Sequence, residues 1–360
     1  MKIYKAAIIG LGSSGLAVNK IIYGNGSSDI IAFENEDINK RNNFFGFWLT
    51  DWMKPYENIV EKKWDKWSIG DKNENIIQIS NKKPYCVISF QKWKEYCLDT
   101  KNKIEIINKQ VVSYSPFKNY FKIITHDNKE YYAEKVYDST SKKEKKNELI
   151  QHFFGINIIA NDHTFDDKKL TLMYFTKENN ILHFIYVLPF SHNKALVEST
   201  VFSKEVFSED WYRKRIDAYL TEHNIIKVEE SSTEKGTIPM FFAAEDRNYN
   251  PKIINVGIRG GACKPSTGYA FSFLIKQIQL LKKSSKNYVE VHKYLERKMD
   301  KIFINYLKNN NENGKSFINL AINLNGHEFQ SFMMGESSLL TKLKIIKSMP
   351  KLSFIREVFR

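Results

Sequence analysis

The sequence predicts a two-domain α/β protein with a group of helices at its C-terminal end. The first observation is an apolar run at residues 3–9 that leads through a glycine-rich turn into a helix-like segment and then a second apolar run. The second is a β-prone middle portion, clearest at 181–202. The third is a C-terminal portion in which apolar residues recur every three or four positions, the spacing of one helix face. A chain of 360 residues has room for two domains with substantial cores.

The N-terminal glycines form the pattern G-x-G-x-x-G with Gly10, Gly12 and Gly15, and Ser14 precedes the last of them. Glycines in such a turn let the backbone approach a pyrophosphate, and the N-terminus of the following helix offers N–H groups to it. Glu34 closes the second apolar run about twenty residues later, where a carboxylate can accept hydrogen bonds from ribose hydroxyls. The pattern therefore predicts a Rossmann-like dinucleotide-binding domain, without deciding between FAD and NAD.

A second glycine-rich segment enters another predicted helix much later in the chain. The apolar run 252–257 leads into the segment 259–271, and a helix is expected to start near Thr267 and to reach Leu281. The candidate cofactor-binding residues of this segment are Gly257, Gly260, Gly261, Pro265, Thr267 and Gly268. With two such turns, one can hold the pyrophosphate and the other the ribityl and ring portion of the same nucleotide, and this arrangement favours FAD over NAD.

The segment 181–202 predicts a β-hairpin or two sequential sheet strands, because Pro189, Ser191 and Asn193 lie in a short connection between two β-prone runs. Alternate side chains of the second run should face opposite sides, which groups Glu198 with Leu196, Thr200 and Phe202. A carboxyl kept from water on that face would have a raised pKa, because desolvation penalises the anion. Such a group can deliver a proton to an apolar substrate, although an isolated strand glutamate more commonly faces solvent.

Composition limits the function classes. The hydrophobic content of 42% and aromatic content of 14% indicate a folded protein. The cysteines, Cys86, Cys97 and Cys263, are too few and too scattered for a disulfide framework or a zinc site, so no metal site is expected and the chain fits a reducing cytosol. Neither a signal peptide nor a membrane-spanning run is expected. The net charge of +14 suggests an anionic surface, but the basic residues are dispersed and accompany no nucleic-acid-binding module.

The domain ranges follow from these segments and from a charged connection at 142–146, which is the expected boundary. Residues 111–125 and 130–137 are expected to form a small antiparallel sheet before it. The last segment should be helical, with an apolar stripe at Val291, Leu295, Met299, Ile302 and Tyr306. The predicted ranges are 1–146 for the first part of the FAD-binding domain, 147–246 for a β-sheet substrate domain, 247–285 for the second part of the FAD-binding domain, and 286–360 for a C-terminal helical region.

Several short segments together resemble the FAD-dependent lycopene cyclases of carotenoid biosynthesis. The matching pieces, in the order that this family has them, are 10–15 (GLGSSG), 42–48 (NNFFGFW), 151–155 (QHFFG), 186–191 (YVLPFS), 196–200 (LVEST), 234–240 (EKGTIPM), 260–271 (GGACKPSTGYAF) and 350–354 (PKLSF). The LVEST and KPSTGY pieces are far more specific than the glycines. The resemblance implies a two-domain flavoprotein with a Rossmann-like FAD domain, a β-sheet substrate domain over the flavin ring, and a lycopene-like carotenoid substrate.

The resemblance also implies a reaction and roles for individual residues. A carboxylic acid protonates the terminal double bond of an acyclic carotenoid, the resulting cation closes a six-membered ring, and a proton is lost. The flavin is needed in its reduced form, with NADPH as reductant, but it is not consumed. Glu198 matches the position of the acid, and Glu234 is a candidate for a supporting role, although a glutamate before Gly-Thr-Ile-Pro could equally cap a turn. The enzyme would be a cytoplasmic isomerase bound peripherally to a membrane.

The C-terminal segment 340–360 is the expected membrane contact. It carries six basic residues, Lys342, Lys344, Lys347, Lys351, Arg356 and Arg360, against the single acid Glu357, interleaved with apolar residues. Basic residues close to anionic lipid each contribute on the order of 1 kcal/mol, and apolar neighbours can enter the headgroup boundary. If the apolar residues instead pack against the FAD domain, the basic face is the exposed one. Binding to anionic vesicles is expected to be salt-sensitive.

The sequence departs from the family pattern in places. Tyr174 stands where the resemblance implies Asp, which would remove a carboxylate from the substrate domain, and Thr140 stands where Arg is usual. The segment 42–48 lacks an expected Thr. Two other functions remain open on the sequence. One is an FAD-dependent monooxygenase or reductase acting on an isoprenoid or polyene, and the other is a carrier that binds a carotenoid or lipid without chemistry.

Overall fold

The computed structural model describes residues 1–140, 147–179, 181–241, 250–310 and 314–350. The strands, in chain order, are β1 (Ile3–Tyr4), β2 (Ala6–Ile9), β3 (Asp29–Phe33), β4 (Phe44–Trp48), β5 (Lys62–Trp64), β6 (Lys66–Gly70), β7 (Asn75–Ile79), β8 (Tyr85–Ser89), β9 (Lys103–Ile107), β10 (Val111–Phe117), β11 (Tyr120–Thr125), β12 (Glu130–Ala133), β13 (Val136–Asp138), β14 (Ile150–Ala160), β15 (Lys169–Thr176), β16 (Leu182–Pro189), β17 (Lys194–Ser203), β18 (Lys227–Pro239) and β19 (Ile253–Asn255). The α-helices are α1 (Ser13–Ala17), α2 (Phe90–Leu98), α3 (Glu209–Glu222), α4 (Phe271–Lys283), α5 (Tyr294–Asn309), α6 (Lys315–Asn323), α7 (Gly326–Met333) and α8 (Leu339–Ser348). A π-helical segment, Val18–Tyr23, continues α1, and 3₁₀ turns occupy Ile38–Lys40 and Lys54–Ile59.

A parallel sheet in the order β19-β13-β2-β3-β9 forms the Rossmann-like part of the fold. The short apolar strands β2 and β3 are buried along almost their whole length, as parallel strands covered on both faces are. The helical segment that starts with α1 lies between β2 and β3 in the chain, and the two strands pair directly. The Rossmann-like domain predicted from the sequence is thus confirmed, and the α/β fold class with it.

A flanking sheet in the order β1-β12-β11-β10 packs against one face of the parallel sheet. Its antiparallel pairs, β10 with β11 and β11 with β12, are those expected from the sequence. The expectation for Val136–Asp138 is wrong, because this strand belongs to the parallel sheet. Its residues are all buried and pair with Ala7 to Ile9 on one side and with β19 on the other, a position that an apolar strand fills better than an edge of the flanking sheet.

A large sheet in the order β18-β14-β17-β16-β15-β6-β7 supplies the frame of the middle part of the chain. Its neighbouring strands are antiparallel except for β15 and β6, which run parallel. Because β6 and β7 precede residue 146, this sheet takes strands from both sides of the boundary predicted there. How the chain divides into independently folding domains stays a prediction.

Strands β16 and β17 form the hairpin that the sequence predicts. The alternation along β17 is also confirmed: Val197 and Val201 pack with α3 on one face of the large sheet, while Leu196 and Phe202 join a different apolar cluster on the other. Since apolar clusters lie on both faces, Glu198 is buried, with 7% of its surface exposed. The interpretation that it points outward from a half-buried strand is wrong.

Helices α5 to α8 contribute to the apolar cluster on the Leu196 side of the large sheet. The predicted stripe on α5 is partly wrong, because Leu295 is exposed while Glu296 and Asp300 are buried. Each of these acids has a cationic partner: Glu296 pairs with Lys342 of α8, and Asp300 with Lys264. An apolar-period pattern cannot reveal such a face, since its buried members are charged residues that become acceptable only when paired.

Parts of the sequence interpretation fall outside the described residues. These are the charged connection 142–146 and the last ten positions, which include Lys351, Arg356, Arg360 and most of the 350–354 match. Within the described ranges, no helix combines the length and the hydropathy needed to cross a bilayer.

Candidate active site

A cavity of about 340 Å³ opens between the large sheet, the strand β4 and the segment that leads into α4. Much of its wall is aromatic, with Phe44, Phe45 and Trp48 from β4, Phe184 from β16 and Phe271 from α4. The aromatic segment 42–48 therefore lines a pocket, as its composition allowed. A concave, mainly apolar wall with a few polar groups is the usual form of a small-molecule site.

Four residues form one row across the cavity face of the large sheet. Gly155 of β14 lies opposite Glu198 of β17 on one side and opposite Glu234 of β18 on the other, and Tyr186 of β16 lies opposite Glu198. A Cβ atom added at Gly155 would be 3.2 Å from Glu234 Cγ and 3.4 Å from Glu198 Cβ. The missing side chain of Gly155 thus leaves the space in which the two glutamates meet. Glu234 lies within a strand, so the interpretation that it caps a turn is wrong.

The two carboxyls are buried, and each residue is 7% exposed. Thr200 Oγ1 donates a hydrogen bond to Glu198 Oε1 at 2.5 Å, and the Phe44 N–H donates to Glu234 Oε2 at 2.9 Å. Burial raises the pKa of Glu198 to about 7, against the opposing effect of hydrogen bonds from Thr200 and Glu234. Burial, and after it the charge of Glu198, raises the pKa of Glu234 well above its ordinary value. Because two adjacent buried carboxylates cannot both ionise at low cost, the pair retains a proton at neutral pH.

The half-buried Tyr186 and the buried Tyr85 extend the row towards the sheet in the order β4-β8-β5. The hydroxyl oxygens of Tyr186 and Tyr85 are 3.0 Å apart and share a hydrogen bond. Gly46 of β4 makes room for them, since a Cβ there would be 2.2 Å from Tyr85 Oη and 2.8 Å from Tyr186 Oη. Burial raises the pKa of both phenols, so each keeps its proton. The carboxyl pair is therefore bordered by neutral hydroxyls and aromatic rings.

The first glycine-rich turn has the geometry that close approach of a nucleotide requires. Gly10 adopts φ +84°, and its carbonyl accepts a hydrogen bond from Ser139 Oγ at 2.7 Å. A Cβ at Gly15 would be 2.1 Å from the Gly10 oxygen, so helix and strand pack this closely only with glycine. Among the described residues, a Cβ at Gly12, the N-cap of α1, would meet within 4 Å only Arg41 Nη1, at 3.7 Å. This is the open side of the turn.

Glu34 follows β3 and lies beside this turn. Its Oε2 accepts a hydrogen bond from the Leu11 N–H at 2.7 Å, and its Oε1 accepts one from the Asn35 N–H at 2.8 Å. Arg41 approaches the same Oε1 at 3.1 Å. The carboxylate braces the glycine-rich turn, and its role towards a ribose stays a prediction.

The second glycine-rich segment lies directly against the first. Gly257 adopts φ +68°, and a Cβ there would be 2.2 Å from Ser14 Oγ. Gln277 of α4 braces the segment from behind: its Oε1 accepts from the Gly257 N–H, and its Nε2 donates to the Gly260 carbonyl, both at 2.7 Å. The interpretation that both turns hold one nucleotide requires them to be neighbours in space, and they are.

A buried ion pair between Lys264 and Asp300 of α5 anchors the next stretch of this segment. The Lys264 N–H donates to the Tyr269 carbonyl, and the Lys264 carbonyl accepts from the Thr267 N–H, which closes a tight turn. Because of this turn, α4 begins at Phe271 and not near Thr267 as expected.

The residues at the turn fit a bound flavin. Thr267 Oγ1 and Gln151 Oε1 are buried and lack a hydrogen-bond partner among the described residues, and both residues line the cavity. Gly268, at φ +67°, lets Gln151 lie on its backbone, since a Cβ would be 1.8 Å from Gln151 Oε1. Buried polar atoms without partners are costly, and the polar edge of an isoalloxazine ring presents hydrogen-bonding atoms. The donor set and the glycine-rich cradles are thus suited to FAD.

Of the predicted cofactor-binding residues, only Thr267 and Gly268 line the cavity. Gly261 and Pro265 border a separate small crevice together with His292, and the Gly260 carbonyl is already engaged by Gln277. Gly260, Gly261 and Pro265 do not line the cavity. Their cofactor-binding roles stay predictions.

Two of the departures from the family pattern, Tyr174 and Thr140, lie away from the carboxyl pair. Tyr174 projects to the opposite face of the large sheet, where its hydroxyl donates to Glu222 of α3 at 2.9 Å. A bulge in β15 between Thr171 and Tyr174 lets Met173 line the cavity. The Asp-to-Tyr difference therefore removes no carboxylate from the cavity wall. Thr140 joins Asp138 through its hydroxyl at 2.6 Å.

Sequence reasoning did not assign the roles of Gly155, Tyr186, Tyr85 or Gln277. Gly155 and Tyr186 belong to segments that match the family, but their contact with Glu198 depends on which strands are neighbours. Period-two alternation gives the face of a residue and not its partner on the next strand. The one available signal was a glycine inside a strand, which often marks close approach of another group.

The chain resembles known proteins in both sequence and fold. Residues 6–358 match the model of the family described as "Lycopene cyclase protein". No curated protein matches the sequence. The fold is similar to a geranylgeranyl bacteriochlorophyll reductase-like protein from Thermoplasma acidophilum, at 13% identity and TM-score 0.66, over 100% of this chain and 99% of that one.

Two FAD complexes show the same fold. HpxO of Klebsiella pneumoniae, with FAD and uric acid, has 11% identity and TM-score 0.56, over 95% of this chain and 92% of that one. The halogenase PltM, with phloroglucinol and FAD, has 11% identity and TM-score 0.58, over 96% and 90%. These likenesses establish the fold alone, and the family match, which spans nearly the whole sequence, establishes that the chain belongs to the lycopene cyclase family.

Proposed function

We propose that the protein cyclises an end of lycopene or a related acyclic carotenoid without net oxidation or reduction. The observation that carries this proposal is the buried carboxyl pair, Glu198 and Glu234, of which Glu198 lines a mainly apolar cavity. A carboxyl with its pKa raised to about 7 can remain protonated beside a hydrocarbon and still release its proton. General acids are tuned in this way by burial.

Glu198 is the proton donor in this proposal. Its proton adds to the terminal carbon–carbon double bond, which leaves a tertiary cation; a neighbouring double bond supplies the electron pair that closes the ring. A proton then leaves an adjacent carbon, so the product is an isomer of the substrate. Glu234 positions Glu198 and keeps one proton within the pair while Glu198 is ionised. The aromatic wall around Phe44 and Trp48 excludes water, which would otherwise capture the cation.

FAD in its reduced form is the proposed cofactor, with NADPH as the external reductant. Gly10, Gly12 and Gly15 would hold its pyrophosphate, and Thr267 and Gly268 its ring end. Bound there, reduced flavin would supply negative charge close to the cationic carbon atoms. The unpartnered oxygens of Thr267 and Gln151 support this assignment.

The proposal places the enzyme in the cytoplasm and peripherally on a membrane, since lycopene is dissolved in lipid and not in water. No role with nucleic acid is proposed. The basic residues are instead engaged in many places with acids of the same chain, as Lys62 is with Asp167 and Lys308 with Glu148.

The test is to express the chain in cells that accumulate lycopene and to identify the carotenoids formed. Cyclic products are expected, and purified protein should convert lycopene under anaerobic conditions once its FAD is reduced, with far less than one NADPH consumed for each ring. Consumption of one NADPH per product would instead identify a reductase or monooxygenase of an isoprenoid. Unchanged lycopene in both experiments would refute the proposal.

A further inference from the structure

Asp300 of α5 connects the C-terminal helices to the turn that carries Thr267. The side chains of Asp300 and Lys264 are almost completely buried, at 2% and 1% exposure. Asp300 Oδ1 is paired with Lys264 Nζ and also accepts a hydrogen bond from Ser266 Oγ, which lies 2.6 Å away. One carboxylate oxygen therefore holds two residues of the same turn.

The turn presents its next residues to the cavity. Thr267, Gly268 and Tyr269 all line the cavity wall. The Lys264 carbonyl accepts from the Gly268 N–H at 3.0 Å, and the Lys264 N–H donates to the Tyr269 carbonyl at 2.8 Å. Since Thr267 directly follows Ser266 in the chain, the position of its hydroxyl depends on the two residues that the carboxylate holds.

Stability alone does not account for a charged pair at this place. Removing a lysine and an aspartate from water is costly, and apolar side chains of similar volume often stabilise a protein core as well or better. An apolar residue at position 300, however, could not accept the hydrogen bond from Ser266. What the carboxylate adds beyond apolar packing is therefore the orientation of the turn.

The surroundings of the pair strengthen this orientation. Lys264 Nζ lies 5.3 Å from the centre of the Phe332 ring. Asp300 Oδ2 is buried and has no hydrogen-bond partner among the described residues. Away from water, hydrogen bonds to charged groups are stronger than neutral ones and restrict the geometry of their partners more closely. The turn is therefore held with little freedom before any ligand binds.

We propose that Asp300 is a positioning residue for the flavin. Through Lys264 and Ser266, it holds the turn in the conformation to which the ring end of FAD binds. This inference rests on the proposed function, because it takes FAD as the ligand of the turn. A site that is ordered in advance loses less entropy on binding, and this difference raises its affinity. The affinity for FAD thus depends on α5, which lies outside both glycine-rich segments.

A purely structural role of the pair would be to attach α5 to its neighbours, and the same helix provides an example of that role. Glu296, one turn earlier on α5, is 2% exposed, and its Oε1 lies 2.5 Å from Lys342 Nζ of α8. Neither Glu296 nor Lys342 is among the described residues that line the cavity. Replacing this second pair therefore changes the packing of α5 without changing the turn.

The experiment titrates FAD into the full chain and measures its dissociation constant and the visible circular dichroism of the bound flavin. Urea unfolding without FAD gives the stability of each variant. Lys264→Met/Asp300→Leu should remain close to wild type in stability, because an apolar pair replaces a charged one. It should bind FAD about ten- to a hundredfold more weakly and change the dichroism, because the turn is no longer held.

Two further variants complete the comparison. Ser266→Ala removes a single hydrogen bond to Asp300 and should weaken FAD binding by about tenfold. The matched control, Glu296→Met/Lys342→Met, replaces the other buried pair of α5 by apolar side chains. It should bind FAD with wild-type affinity and wild-type dichroism.

Wild-type affinity and dichroism in Lys264→Met/Asp300→Leu would overturn the inference. An equal loss of affinity in Glu296→Met/Lys342→Met would overturn it as well, because the loss would then come from any change in the packing of α5. If Lys264→Met/Asp300→Leu does not fold, Ser266→Ala decides alone. Weaker FAD binding by Ser266→Ala would support the inference, and wild-type binding would refute it.

Failure of this inference can be separated from failure of the proposed function, because FAD binding is measured without lycopene. If the wild-type protein forms rings and Lys264→Met/Asp300→Leu binds FAD normally, only the positioning role is removed. If the wild-type protein binds FAD but forms no rings, and the double variant binds FAD weakly, the cyclase function is removed and the positioning role remains. Absence of FAD binding by the wild-type protein would remove the positioning role together with the cofactor assignment.

Discussion

The two faces of the large sheet both bury ionisable groups, but they treat them in opposite ways. On the face towards α3, His183 lies between Thr176 Oγ1 at 2.5 Å and Ser199 Oγ at 2.8 Å, and His152 lies between Tyr212 Oη at 2.5 Å and Ser203 Oγ at 2.7 Å. Every ring nitrogen has a partner. On the other face, the carboxyls of Glu198 and Glu234 meet each other beside a cavity.

The pKa shifts of the two faces oppose each other. Burial lowers the pKa of His152 to about 4, and burial followed by the charge of Arg215 lowers that of His183 to about 3. Burial raises the pKa of Glu198 to about 7. Both faces thus keep neutral groups, but of these four described residues only Glu198 lines the cavity. The difference shows that burial alone does not mark a site; burial combined with an open cavity does.

The largest effect is expected from Glu198→Gln, which keeps the shape of the side chain but cannot donate the proton. General acids contribute about 10²- to 10⁴-fold to a rate, so turnover should fall roughly a thousandfold while FAD remains bound. Turnover is measured by product analysis with a defined amount of flavin-loaded protein. Glu229→Gln, on the exposed part of β18, is the control and should match wild type. A near wild-type rate for Glu198→Gln would show that the proton comes from another group.

The second-largest effect is expected in the pH dependence of the free energy of unfolding, because the pKa values of the buried histidines are lowered and that of Glu198 is raised. The histidines have lowered pKa values in the folded state, so their contribution is lost as pH falls from about 6.5 towards 4, by on the order of 3 kcal/mol for His152. Glu198 has a raised pKa, so its contribution is present below about 4.5 and is lost as pH rises through about 7.

Urea unfolding at several pH values checks these slopes. His152→Leu should flatten the acidic slope and leave turnover per folded molecule unchanged, whereas Glu198→Gln should flatten the slope between pH 4.5 and 7. His126→Leu, which alters an exposed histidine, is the control and should change neither slope. An acidic slope that persists in His152→Leu and in His183→Leu would show that other groups cause it.

A smaller effect is expected from Gly155→Val, which inserts a side chain between the two glutamates. A Cβ there already lies 3.0 Å from Leu196 Cδ1 and 3.2 Å from Glu234 Cγ, so the strands must shift at a cost of about 1–3 kcal/mol. Separating the carboxyls should lower turnover by about ten- to a hundredfold. Gly26 lies at a surface turn where the nearest atom to a Cβ is 3.6 Å away. Gly26→Val is therefore the control and should change neither the stability nor the turnover. Unaltered turnover in Gly155→Val would mean that Glu198 works without Glu234.

The smallest effect is expected from Thr200→Val, which removes a hydrogen bond to the Glu198 anion while preserving shape. Since that hydrogen bond lowers the pKa of Glu198, its loss should move the alkaline limb of the pH–rate profile upwards by about one pH unit. Thr221→Val, on the surface of α3, is the control. If the alkaline limb of the profile does not move in Thr200→Val, a group other than Glu198 causes it.

The local parts of this structure could be predicted from the sequence, but the pairings between distant elements could not. The glycine-rich turns, the β16–β17 hairpin and the two faces of β17 follow from residue types and short periods, which act over a few positions. The meeting of Glu198 with Glu234 depends on β14 lying between β17 and β18, a strand order that no local pattern encodes. The same limit explains α5, where the buried acids Glu296 and Asp300 pair with lysines on a face that apolar spacing does not indicate.

The strand order of the two main sheets also constrains how the chain can fold. The parallel sheet is completed at one edge by Ile253–Asn255, and the large sheet joins β15 to β6, which is about a hundred residues earlier in the chain. Contacts so far apart must wait for large loops to close, and topologies rich in them fold slowly. During synthesis, the chain must therefore emerge from the ribosome as far as residue 255 before the nucleotide-binding sheet is complete. Apolar strands such as β2 and β3 stay incompletely covered until then. We expect production of the protein to depend on chaperones more than its compact final form suggests.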